Sequence, residues 1–267
     1  MGIFVTAAIL GYGIKKMVDI DKKNESADKT TLKSLERVSK ARENLRIKQE
    51  EAHYSIIKLA NRKKGILLTT IKEFISYYEL LMKIDFTEGA GIKELKNLQL
   101  PQNNLKELQG LVLTASTKMS DRKLIGTFIL KGIPGLLESD ADDRLREARF
   151  LRKQAILIES QSETGIVVLE GIKIRADKIT EVLTNLNILF MKSLIVMKQA
   201  ILEKGTNKNL YTDYDKKQIM VTVNFALTIK KIIDSKLIDE EGEITKQSLE
   251  ALSKGEEYLG KINSMLK

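Results

Sequence analysis

From Leu35 the apolar positions fall alternately three and four residues apart: Leu35, Val38, Leu45, Ala52, Ile56 and Leu59. Arg42 and Gln49 interrupt the row. That spacing is the heptad seam along which helices wind around one another. The same period continues through Ile66, Leu67, Ile71, Phe74, Tyr78 and Leu81, and Gly89 and Gly91 supply the first stop signals. A short element over Gly91–Leu98 follows, and Pro101 opens another helix over about Leu105–Met119. A second long seam runs through Leu151, Ala155, Ile158, Ser162, Gly165, Leu169, Ile172, Ala176, Ile179, Leu183, Leu186, Phe190, Ser193, Met197 and Ala200. Unbroken from Ser139, it predicts a rod of about 90 Å at 1.5 Å per residue. The phase is the same on both sides of Gly165 and Gly171, which favours one continuous helix. Small seam residues permit close helix approach.

Lys204–Asn209 reads as a loop. Thr212 caps a helix over Asp213–Ser235, Asp239–Gly242 turns, and Thr245 caps the last helix. Both prolines, Pro101 and Pro134, lie in the middle third, so two very long stretches are free of the residue that breaks helix interiors. Gly165–Leu169 is the best strand signal and sits inside a helical period. The expected fold is all-α: an elongated antiparallel helical bundle over residues 1–204, with a small C-terminal helical hairpin over 205–267 packed on it.

Two apolar segments stand apart. Residues 2–14 carry no charge and are followed by Lys15 and Lys16. As a helix they span about 20 Å, short of the roughly 30 Å hydrocarbon thickness. They lack the basic start of a signal peptide. Ala7 and Gly11 have the spacing that lets membrane helices touch. The second segment, Leu124–Leu137, is broken by Gly126, Gly132, Pro134 and Gly135. Each has two readings. Residues 2–14 are a membrane anchor or a core helix, and Leu124–Leu137 is a membrane-touching tip or a buried turn. On the first reading the lipid-contacting residues are Ile3, Phe4, Val5, Ile9, Leu10, Ile14, Lys15 and Lys16. The tip adds Leu124, Ile125, Phe128, Ile129, Leu130 and Ile133.

The chain has 267 residues and a net charge of +9. With 43% hydrophobic residues it can bury a core. Residues 15–64 hold fifteen Lys/Arg against eight Asp/Glu. A basic stretch after an apolar terminus suits an anionic membrane surface. The same surplus is compatible with a solvated helix face, because acids are interleaved at i,i+4 distance. Nucleic acid is the least favoured partner, since no recognition motif accompanies the charge.

The absence of cysteine excludes disulfides, thiolate metal sites and a cysteine nucleophile, and the single histidine, His53, excludes a His-rich metal site. Gly255–Ile262 contains GxxxxGK followed by Ile262, without the hydroxyl or preceding strand that nucleotide binding needs. The calcium-loop frame around Gly242 places Leu237 first and Ser248 last, where Asp and Glu are required. No catalytic residue, cofactor or metal is implied, and the chain is expected not to be an enzyme.

Gly2, Gly11-Tyr-Gly13, the long charged helix, the glycine-broken centre and Leu136–Asp143 together resemble a loosely defined group of bacterial coiled-coil proteins. So do Leu202–Thr206, Leu210–Asp215 and Leu237–Gly242. Some members carry chemotaxis-like labels. A glycine-rich hairpin longer than Leu124–Leu137 is usual in the group. In shape the layout is also similar to α-helical pore-forming toxins, which store an apolar hairpin against a helical rod. These resemblances imply a membrane-associated protein of the bacterial cytoplasm, peripheral to the inner membrane, with a secreted form compatible too. Anionic lipid is the implied partner. A pore-forming or membrane-remodelling version requires oligomerisation through the seams. The alternative is a soluble scaffold holding a partner helix.

Overall fold

The computed structural model describes residues 25–84, 102–131, 163–239 and 243–265. Among them the chain is all-helical, with no strand beyond an isolated bridge between Ile238 and Ile244. Helix α1 covers Glu25–Ile66. A π-helical turn, Leu67–Ile71, leads into α2, Lys72–Leu81. Helix α3 is Gln102–Ser116, and α4, Asp121–Ile125, passes into a second π-helical turn, Gly126–Lys131. Helix α5 is Glu163–Lys204, α6 is Asp213–Asp234 and α7 is Lys246–Met265.

Two compact units divide the chain, Met1–Arg46 and Ile47–Lys267. In the first, α1 carries an exposed i,i+3 ion pair between Glu43 and Arg46. The rest of this description concerns the second, to which the C-terminal hairpin α6–α7 also belongs.

The helix expected through Leu81 is present but not uniform, because the turn at Leu67–Ile71 inserts an extra residue. Thr69 Oγ1 donates to the Gly65 carbonyl at 2.8 Å, the back-bonding that loosens an α-helical turn. The insertion resets the phase, so that Phe74, Tyr78 and Leu81 follow Leu59 and Ile66 into the core.

Three cross-links give the direction of α1 against α5. Lys48 pairs with Glu170 at 3.1 Å, Ser55 hydrogen-bonds Asp177, and the Arg62 guanidinium donates to Thr184 Oγ1 at 2.7–2.8 Å. Each step is one heptad on both helices, so the two run parallel with a constant offset of 122 residues. The antiparallel order expected throughout therefore fails for this pair. It holds for α5 against α6, where Phe190 meets Phe225 and Lys204 meets Asp215. It holds for α6 against α7, where Ile232 lies over Gly255 and Phe225 over Tyr258. Helix α3 also runs against α1–α2, with Lys64 on the Thr117 carbonyl and Gln109 on Glu79.

Helix α5 crosses Gly165 and Gly171 without a break over Glu163–Lys204, while the part of the expected rod over 139–162 lies outside the described residues. Gly205 ends it with φ +55, a left-handed conformation that glycine adopts without penalty. Thr212 and Asp215 form the reciprocal capping box that starts α6. Thr245 Oγ1 accepts the Ser248 N–H at 3.1 Å and starts α7.

The core has an aromatic line across four helices. Ring centroids lie 5.6 Å apart for Phe74–Phe190, 6.2 Å for Phe190–Phe225 and 5.1 Å, edge to face, for Phe225–Tyr258. Offset and edge-on pairs add to the burial of the rings themselves.

Candidate functional site

Lys63 lies on the apolar face of α1, between Leu59 and Ile66, and is fully buried. Its Nζ donates to three backbone carbonyls: Phe128 at 3.0 Å, Ile233 at 3.1 Å and Ser235 at 2.9 Å. Two of these belong to the end of α6, where the last carbonyls of a helix have no partner in the helix itself. The third comes from the π-helical turn Gly126–Lys131. Beside it, the Leu237 N–H donates to the Ile129 carbonyl at 2.9 Å. One ammonium thus ties α1, the π-helical turn and the end of α6 together, and its charge suits a helix C-terminus.

Charge around this junction is arranged in layers. Lys230 bridges Glu107 at 2.6 Å and Asp234 at 2.7 Å. Burial works against the Lys230 ammonium, but its bonds to Asp234 and Glu107 outweigh that and hold its pKa above the ordinary value. Burial pushes the Asp234 carboxyl up to about 6, with Lys230 and Lys63 opposing. Asp234 Oδ1 is buried with no hydrogen-bond partner. Burial also pushes Lys63 down to about 7, with the Asp234 charge pulling the other way. The three carbonyls oppose that shift, because a neutral amine has only two N–H groups to offer them, but desolvation is the larger effect. A lysine nucleophile must be neutral and open to substrate. Lys63 is enclosed and spends its hydrogens on backbone, so its work here is to clamp.

The membrane-contacting residues expected from the sequence fall into three groups. Ile3, Phe4, Val5, Ile9, Leu10, Ile14, Lys15 and Lys16 lie outside the described residues, as does Ile133. Leu124, Ile125, Phe128 and Ile129 are buried, and Leu130 is half-buried. In this conformation those four side chains face protein, and residues 132–137 of the segment lie outside the described residues. The physical reason for the burial is the clamp: carbonyls 128 and 129 are taken by Lys63 and Leu237, which seats the turn against the bundle.

A surface that the sequence analysis missed lies on α5. Opposite its buried seam, Val167, Ile174, Ile188, Ile195 and Leu202 recur at intervals of seven or fourteen residues, and Met191 stands between two of them. All are between 49% and 66% exposed. Glu181 occupies the vacant place in the row. Helix α5 is the described helix long and apolar enough to cross a membrane by length and composition, and only 44% of its most apolar window is buried. The signal was available as a second seven-residue register beside the first seam. Lys198, at the edge of this face, pairs with Glu73 at 3.1 Å and sits over the Tyr77 ring.

Among the described residues no group of three His, Cys, Asp or Glu side chains could hold a metal ion. His53 is exposed on α1. No protein-family model, curated protein or solved structure matches the chain.

Proposed function

We propose that this protein is a non-enzymatic, membrane-associated helical protein, docked peripherally on an anionic inner membrane. The observation that carries the reading is the exposed apolar row of α5, on a helix already apolar on its inner face. A row of that length in water calls for a cover. The uncharged run 2–14, followed by Lys15 and Lys16, supplies a second apolar contact with basic residues at its edge. Residues 124–129 take no part while the clamp is closed. A pore-forming version needs them to leave their seat, which means breaking the bonds from Lys63 and Leu237.

Flotation with anionic vesicles tests the reading. The full chain should rise with the vesicles, and a form lacking residues 1–16 should rise less while keeping its helical circular dichroism. Equal flotation of both forms removes residues 2–14 from the contact. Failure of the full chain to float removes the membrane.

A second reading, a scaffold that holds a partner helix, is favoured by the spacing of the same row. Residues repeating every seven positions drift about 20° per heptad on a straight helix. From Val167 to Leu202 that amounts to about 100° over about 52 Å. A partner helix can follow such a drift by supercoiling, whereas a flat lipid surface meets only part of the row. A crosslinked partner at Ile188 and Ile195 in cells, with no vesicle binding, would select the scaffold.

A further inference from the structure

A groove of about 190 Å³ opens between α6 and α7. Thr228 and Lys231 line it from α6; Lys254, Glu257, Tyr258 and Lys261 line it from α7. The α7 residues stand at i, i+3, i+4 and i+7, so they share one face. The α6 pair stands at i and i+3. Gly255 sets the distance between the walls. A Cβ there would lie 2.7 Å from Val182 Cγ1 and 2.9 Å from Ile232 Cδ1, so α7 sits as deep as a residue without a side chain allows.

The groove gathers donors and almost no acceptors. Glu257 is its single carboxylate, and Lys261 takes it at 2.6 Å. The bond to Lys261, helped by the charge of Lys254, holds the Glu257 carboxyl below its ordinary range, so it is ionised and spent. Lys231 and Lys254 make no ion pair with a described residue. Tyr258 is half-buried, its ring edge-on to Phe225, and burial pushes its phenol up to about 12, so it keeps its O–H. Three ammonium groups, one carboxylate and two hydroxyls leave a net charge of +2 in an open groove whose charged groups face solvent, a local positive potential that attracts anions. Near neutral pH phosphate offers mostly acceptor oxygens and carries the matching negative charge.

We propose that this groove is a phosphate-binding site, with Lys231 and Lys254 as its charged ligands and Thr228 and Tyr258 as neutral donors. The shared chemistry is a phosphate group, either free in solution or the monoester headgroup of a lipid. The site does not rest on the membrane reading, since it lies on the C-terminal hairpin and not on the α5 row.

The test uses the full chain and a Lys231→Gln/Lys254→Gln variant. Both lysines are exposed, so the variant should melt in chloride at the wild-type temperature. Inorganic phosphate should raise the melting temperature of the wild type above that in chloride of equal ionic strength. The variant, which loses both charged ligands, should lose affinity by about a hundredfold, about tenfold for each charge-assisted contact. A second arm compares vesicles of phosphatidic acid with vesicles of phosphatidylglycerol. Preference for phosphatidic acid that vanishes in the variant assigns the site to a lipid headgroup. Phosphate binding lost in the variant with vesicle binding unchanged assigns it to free phosphate. Should neither phosphate nor phosphatidic acid distinguish variant from wild type, the proposal is overturned, whatever the vesicle binding of the whole chain.

Discussion

The aromatic line and the Lys63 junction brace the same bundle by opposite means. Phe74, Phe190, Phe225 and Tyr258 join α2, α5, α6 and α7 through ring contacts alone. Lys63 joins α1, the π-helical turn and α6 through three hydrogen bonds to backbone. The first kind of brace gains from each apolar surface it covers and is indifferent to pH. The second is conditional: it stabilises only while every member is paired, and removing one strands the rest in a low-dielectric interior. An apolar brace fixes how closely helices pack. A polar one fixes which backbone segments meet, and here it selects carbonyls 128, 233 and 235.

The comparison can be broken first at the rings. Phe190→Ala removes the residue that touches two other aromatic rings, and should cost about 4 kcal/mol in urea unfolding. Next, Lys63→Met keeps the length of the side chain but leaves three carbonyls without a donor, and should cost about 3 kcal/mol. The two variants should differ more in kind than in size. Lys63→Met should raise amide exchange over residues 124–131 before the rest of the bundle. Phe190→Ala should raise exchange throughout α5 and α6 together.

Proton linkage separates the braces further. Lys63 has a folded pKa of about 7 against its ordinary 10.5, so the unfolded chain binds the proton more tightly across that window. Stability from this group is complete above the unfolded value and is lost as pH falls toward about 7. Asp234 has the opposite sign. Its pKa is raised from 3.8 to about 6, so its contribution is complete below the unfolded value and lost as pH rises through about 6. Wild type should therefore gain stability from pH 7 to pH 10, as the buried amine sheds its charge at the expense of one of its three hydrogen bonds, and Lys63→Met should not. Parallel profiles for the two proteins would remove Lys63 from the titration.

Smaller effects sharpen the picture. Gly255→Ala places a methyl against Val182 and Ile232, and overpacking outweighs the gain in helix propensity by about 1 kcal/mol. Ile188→Gln with Ile195→Gln should change stability by under about 0.5 kcal/mol, since both side chains are about half exposed. The same pair should nonetheless weaken association with membrane or partner helix, which separates the outer face of α5 from its core seam.

Much of the fold was legible because periodicity reports burial directly. Leu59, Leu169, Ile172, Ile179, Leu183, Leu186 and Phe190 are all in the core, and the Thr212 and Thr245 caps start α6 and α7. The parallel sense of α1 and α5 was not legible, because a seam has the same period in either direction. The π-helical turn at Leu67–Ile71 was hidden by a continuous run of apolar residues that satisfies either phase. Lys63 was hidden by its type: in a stretch rich in Lys and Arg it looks like one more solvated cation, and only the fold brings three carbonyls to it. The outer row of α5 was concealed by the stronger inner seam on the same helix. The sequence marked 124–137 as apolar and left lipid and protein both open as covers, leaning slightly to a buried turn; the bonds to the carbonyls of Phe128 and Ile129 that seat the turn were not legible in it.

The most direct measurement of the central claim is where the native protein goes after cell lysis. The account predicts that it sediments with the membrane fraction, stays there through a high-salt wash and is released by detergent, because apolar burial dominates the contact. Recovery in the soluble fraction, or full release by salt alone, would contradict it.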